Sequence, residues 1–145
     1  YLDERILEHP ITIKVPCTVE GLKACKALNG KWVQTNVTLV FSVSQAILAA
    51  KAGATYISPF VGRWIDNSVD GVDLIKRIRQ VFDRTGTGTQ ILAASIREVR
   101  QVEQCALYGA DVVTIPPTVF WGMYKNILTD KGLELFQKDW EEANK

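Results

Sequence analysis

Ile11-Thr12-Ile13-Lys14-Val15-Pro16 is a short, β-branched apolar run with one lysine in the middle, lying against Pro10 and closed by Pro16. Such a run reads as a buried strand, and a helical stretch follows it. A lysine in that position is unusual, because lysine is almost never fully buried without compensation. Burial disfavours the ammonium form and lowers its pKa, which makes the amine a nucleophile towards carbonyl carbon. The alternative is a lysine at the strand end that reaches water or pairs with a carboxylate, since structural ion pairs also perturb ionisation.

Outward from this run, strands and helices alternate. Residues 1–9 read as the tail of a helix. After Pro16, Thr18 to Leu28 is a helix with Leu22, Cys25 and Leu28 on one face and Asn29-Gly30 as its stop. Gln34–Phe41 is a second strand. Ser42 with Gln45 forms a capping box, and its helix runs through Ile47-Leu48-Ala49-Ala50 to Gly53. Ala54–Phe60 is a third strand, and Val61 to Val69 a polar loop. Asp70 caps a helix ending near Arg84, with Val72, Ile75, Ile78, Arg79 and Phe82 at helical spacing. Thr85-Gly86-Thr87-Gly88 is a turn before a fourth strand, Gln90–Ala94. Ser95 with Glu98 is a second capping box, opening a helix to Tyr108-Gly109. Ala110–Ile115 is a fifth strand, closed by Pro116-Pro117. Thr118–Asn126 is a short helix, and Thr129 caps a last one carrying Leu133, Phe136 and Trp140 on one side.

Five near-continuous apolar strands separated by helices imply a parallel sheet covered on both faces. An open doubly wound sheet lacks its dinucleotide fingerprint here: Gly86-Thr87-Gly88 precedes a strand, the wrong side for phosphate. The other architecture is a (β/α)8 TIM barrel, which usually needs ~250 residues. A chain of 145 residues would then cover about the last five βα units, as one partial barrel domain over 1–145 with a C-terminal helix at about 130–144.

Composition narrows the functions. A net charge of +1 supplies no basic surplus for nucleic acid. No apolar stretch is long enough to span a membrane, and no signal-peptide core is present. Cys17, Cys25 and Cys105 are an odd set without C-x-x-C spacing, which fits reduced thiols in a cytoplasmic protein. One histidine, His9, and scattered cysteines are too few for a zinc site. Cys17, three residues from Lys14, reads as an inert small hydrophobe, with a redox-sensitive thiol as the alternative.

In a parallel barrel the site is built at the C-terminal strand ends and the loops after them. Those positions carry Lys14 and Thr18; Asn36 and Thr38; Ser58, Phe60 and Arg63; Ser95 and Arg97. Thr12 and Lys14 share one strand face, as do Asn36 and Thr38. A nucleophilic amine, neutral hydrogen-bonding groups and two arginines would converge on one mouth. Arginines beside helix N-termini suit a phosphate or carboxylate, although each could equally be a solvated surface charge. Ser95 reads as a cap alone or as a cap that also offers its hydroxyl to an anion. The residues by themselves describe an anion-binding barrel with a buried lysine.

Five blocks carry a resemblance: Ile13–Leu22, Thr35–Ser42, Gln45–Ala54, Ser58–Arg63 and Leu92–Arg97, with the ending Leu128–Trp140 beside them. In that order they resemble the transaldolase family, most closely the short subgroup that includes fructose-6-phosphate aldolase. The resemblance implies a class I aldolase barrel that works without metal or cofactor. It implies a Schiff-base lysine at Lys14, with Asn36 and Thr38 holding substrate hydroxyls and a catalytic water. It also implies substrate contacts at Ser58 and Phe60 and phosphate contacts at Arg63, Ser95 and Arg97. Aldolases of the subgroup carry Tyr at position 60 and transaldolases Phe, so Phe60 favours transaldolase, as does Arg97. The expected reaction moves a dihydroxyacetone unit between a ketose phosphate and an aldose phosphate in the pentose phosphate pathway. Fructose-6-phosphate aldolase is the alternative enzyme, and an inactive sugar-phosphate-binding or assembly fragment the alternative from another class.

The resemblance further implies that the family's first three strands, bearing an Asp, an Asn and a Glu that handles protons through the water, lie before Tyr1. Nothing in residues 1–10 stands in for them. The chain is then either part of a longer protein or completed by a partner chain. An open five-strand arc exposes strand edges and apolar interior, so a homo-oligomer is expected, with Trp140 on the last helix at contacts between copies or against its own barrel.

Overall fold

The computed structural model describes residues 11–144. The helix tail expected at residues 1–9, and His9 with it, lie outside the described residues. Five strands form one sheet in chain order: β1 (Thr12–Pro16), β2 (Gln34–Val40), β3 (Tyr56–Pro59), β4 (Gln90–Ala93) and β5 (Val112–Val113). Every pairing is parallel, with Lys14 opposite Asn36, Asn36 opposite Tyr56, and Leu92 opposite Val112. Helices α1 (Val19–Asn29), α2 (Val43–Lys51), α3 (Val61–Ile65), α4 (Gly71–Thr85), α5 (Val99–Leu107), α6 (Pro117–Gly122) and α7 (Ile127–Ala143) complete the chain. Strand, crossover helix and neighbouring parallel strand repeat in sequence order. That is the architecture of consecutive βα units of a (β/α)8 barrel.

The period-2 pattern of each strand separates two faces. Val37, Ile57, Ile91 and Ala93 are fully buried and belong to the core, together with Cys25, Ala46, Ala49, Ile75, Ile78 and Phe82 from the helices. Asn36 lies on the opposite face from Val37. Residues from all five strands, Thr12, Lys14, Asn36, Tyr56, Leu92 and Val112, line one cavity of about 380 Å³. A flat sheet would keep its first and fifth strands apart; this one curls into the arc of a barrel.

Several local expectations change. The Ile11–Pro16 run forms its strand but is not buried: Ile13 is 39% exposed and Lys14 is exposed too. Among the described strands β1 has β2 alone as a neighbour, so one of its flanks is uncovered. The segment after the third strand is not all loop; α3 forms there because Val61 and Gly62 bury themselves against the β4 end. Ser42 caps its helix as expected, its Oγ accepting from Gln45 N at 3.1 Å, while Gln45 Oε1 reaches one residue past the cap to accept from Phe41 N at 2.7 Å. The Ser95 box does not form. Ser95 adopts φ +63° in the left-handed region, where no N-cap sits, and α5 starts only at Val99. Thr129 does not open the last helix; Asn126 does, its Oδ1 accepting from Leu128 N at 2.9 Å. Leu133, Phe136 and Trp140 of α7 are all exposed.

Candidate active site

Lys14 projects into the concave cavity beside Thr12 on its own strand and Asn36 on the next. The alternation of β1 sends Lys14 inward, and the parallel register sets it level with Asn36. Its exposure corrects the expectation of an amine enclosed by an apolar rim. Among the described residues no carboxylate lines this cavity.

Asn36 is the best-anchored polar group on the concave face. Its Oδ1 accepts from the buried Ser58 Oγ at 2.8 Å, which ties β2 to β3 from within. That bond fixes the amide so that its Nδ2 donor is the free end. Two residues on, Thr38 Oγ1 is buried and has no hydrogen-bond partner among the described residues. A buried hydroxyl without a partner is costly, and Thr38 shares its strand face with Asn36.

At the C-terminal strand ends, Phe60 follows β3 and pairs with Ala94 of the next segment. Its ring meets Phe41 at 5.7 Å between centroids, and the Arg63 guanidinium lies 5.2 Å over it. Trp64 donates from Nε1 to the Phe41 carbonyl at 3.0 Å and closes the aromatic group. Cation–π contact holds an arginine without consuming its hydrogen-bond donors.

Ser95 and Arg97 approach the same helix from the β4–α5 connection. Gly62 of α3 is where they meet: a Cβ there would overlap the Ser95 carbonyl oxygen and lie 3.1 Å from Arg97 Nε. Arg97 N donates to the Oε1 of the buried Gln101 at 2.9 Å, and Arg97 Nη2 donates to Asp66 Oδ2 at 2.5 Å. The expected groups therefore fall into two neighbourhoods joined through β3: Lys14, Asn36, Thr38 and Ser58 on the concave face, and Phe60, Arg63, Ser95 and Arg97 around α3.

Three contributors escaped the reading of the sequence. Tyr56 lines the Lys14 cavity; it lies two residues before Ser58, so the strand period alone could have found it. Asp66 and Gln101 contact Arg97 across long sequence separations or through a displaced helix start, which no local pattern signals.

Over residues 4–145 the chain matches the family model described as Transaldolase/Fructose-6-phosphate aldolase. It is 56% identical over 138 residues to a protein of Maricaulis maris named "Probable transaldolase", covering 95% of this chain and 64% of that one. It is 59% identical over 133 residues to a "Probable transaldolase" of Rhizobium meliloti, covering 92% and 61%. The chain thus spans about three-fifths of the length of these curated relatives. Among solved structures, GMP reductase C318A from Trypanosoma brucei aligns with TM-score 0.58 at 17% identity, over 74% of this chain and 28% of that one. Mandelate oxidase aligns with TM-score 0.52 at 22% identity, over 65% and 27%. At these identities the likeness is one of fold.

Proposed function

We infer that this chain, which belongs to the transaldolase/fructose-6-phosphate aldolase family, carries the Schiff-base half of a transaldolase. The single observation that supports this most is Lys14 on the concave face beside Asn36, in a cavity to which all five strands contribute. On this reading the Lys14 amine attacks the ketose carbonyl carbon, and loss of water gives an iminium. The C3–C4 bond then breaks, its electron pair passing to the iminium to give an enamine as the aldose phosphate leaves. The enamine attacks the carbonyl carbon of the acceptor aldose phosphate, and hydrolysis frees the lysine. Asn36, held by Ser58, and Thr38 orient the hydroxyls of the three-carbon unit and a water. Arg63, Ser95 and Arg97 take the phosphate. Phe60 adds no ionisable group at the strand end, which favours transfer over release of free dihydroxyacetone.

The same reading makes the protein a cytoplasmic enzyme of the pentose phosphate pathway that binds sugar phosphates. The three cysteines are free thiols, which suits a reducing compartment. Among the described residues no helix is long and apolar enough to cross a membrane. A homo-oligomer is supported by the exposed apolar side chains of α7 and by the single described neighbour of β1 and of β5.

A second reading is a sugar-phosphate-binding chain without turnover, favoured by the lack of a carboxylate among the described lining of the Lys14 cavity. A positioned acid–base typically contributes ~10²–10⁴-fold. Incubating the intact protein with fructose 6-phosphate and erythrose 4-phosphate separates the readings. Glyceraldehyde 3-phosphate formed only when the acceptor is present supports transaldolase. Free dihydroxyacetone without acceptor supports the aldolase, and phosphate-sugar binding with neither product supports the silent chain.

A further inference from the structure

Arg97 is held at two places. Its backbone N–H is taken by Gln101 and its Nη2 donates to Asp66 Oδ2 at 2.5 Å, while its Nε stands 3.1 Å from where a Cβ on Gly62 would be. Asp66 is itself fixed. It closes α3, its N–H donating to the Gly62 carbonyl at 2.9 Å, and the next residue, Asn67, reaches back from Nδ2 to the Arg63 carbonyl at 2.8 Å. One ion pair therefore joins the segment after β3, which carries Arg63, to the segment after β4, which carries Arg97.

The pair is a poor stability device. Its side chains are 56% and 42% exposed, and ion pairs so exposed contribute about 0–1 kcal/mol. A carboxylate beside an arginine also reduces the pull on an incoming anion, so electrostatic attraction alone argues against an aspartate here. What the contact does supply is geometry. A guanidinium presents five N–H donors in a rigid fork, and committing one edge to Asp66 orients the rest without rotamer search.

We propose that Asp66 is a positioning residue that pre-orders the Arg97 guanidinium for the oxyanion of a phosphorylated sugar. The inference rests on the phosphate role of Arg97 given above. Inorganic phosphate, as a competitive inhibitor of the intact enzyme, reads that site apart from the chemistry at Lys14. Asp66→Ala is expected to raise both the phosphate inhibition constant and the KM of the ketose phosphate by roughly twofold to fivefold, the range of an exposed ion pair. The effect on kcat should be smaller than that on KM. Asp66→Asn keeps an acceptor oxygen and is expected to recover most of the affinity, which a purely electrostatic role would not allow. Unchanged or tighter phosphate binding in Asp66→Ala overturns the proposal, because the aspartate would then be neutral or a competitor. Arg97→Ala tells the two failures apart. If it weakens phosphate while Asp66→Ala does not, positioning alone is wrong; if Arg97→Ala has no effect, the phosphate site itself is misassigned and the proposal falls with it.

Discussion

The buried Ser58–Asn36 hydrogen bond sets the residue scale. Removing Ser58 Oγ leaves Asn36 Oδ1 unpaired in a protein environment, which costs about 1–3 kcal/mol. Ser58→Ala is therefore expected to lower the free energy of unfolding by that amount in urea titration, and to weaken sugar binding as the Asn36 amide gains freedom. Cys105 offers a test of burial through ionisation. It is fully buried, and burial pushes its thiol from 9.0 up to about 11. Between those values the unfolded chain loses the proton first, so this thiol makes stability fall as pH rises through the window. Thermal unfolding between pH 9 and about 11 should decline less steeply in Cys105→Ala than in the parent; equal slopes would show that the thiol is not shielded. At this scale the sequence was informative about direction and silent about surroundings. Strand alternation pairs Thr12 with Lys14 and Asn36 with Thr38; the parallel register then sets Lys14 level with Asn36, which Ser58 holds. Whether Lys14 is enclosed depends on what flanks β1, which no residue of the Ile11–Pro16 run encodes.

Helix ends show why local signals succeed or fail at the scale of the element. Asp70 and Ser42 act as caps because the chain enters both helices in extended conformation, with the side-chain oxygen over the first free N–H groups. Asp70 Oδ1 accepts from both Val72 N and Asp73 N. Asp70→Ala should cost about 1 kcal/mol, which moves the melting temperature by roughly 2–4 °C. Ser95 has the same residue spacing as Ser42 and does not cap. Its left-handed backbone, and the packing of its carbonyl against Gly62, delay the helix to Val99. The tertiary contact between α3 and the β4 end overrides the capping box, and it lies at the arginines rather than in an ordinary loop. Gly62→Ala is accordingly expected to displace α3 from the Ser95 carbonyl. Phosphate binding should fall more in this variant than in Asp66→Ala, with calorimetry of phosphate titration as the check.

The whole molecule is an arc of parallel βα units whose concave face gathers the Lys14 neighbourhood and whose rim gathers the arginines. The alternation of strand and helix was legible because apolar runs recur five times with helix stops between them, while the choice of barrel over open sheet came from the family resemblance. The assembly was less legible, because an amphipathic helix such as α7 looks the same whether its apolar side meets its own barrel or another copy. Among the described residues Leu133, Phe136 and Trp140 remain exposed on it. Light scattering of the intact protein is expected to show an oligomer, and Trp140→Glu to shift it towards smaller species; a monodisperse monomer would remove that expectation. The central claim is chemical and can be read directly. Borohydride reduction in the presence of fructose 6-phosphate, followed by peptide mass spectrometry, should find a reduced three-carbon or hexose-phosphate adduct on Lys14 and none in Lys14→Met. An unmodified Lys14, or an adduct carried by another lysine, would contradict the account.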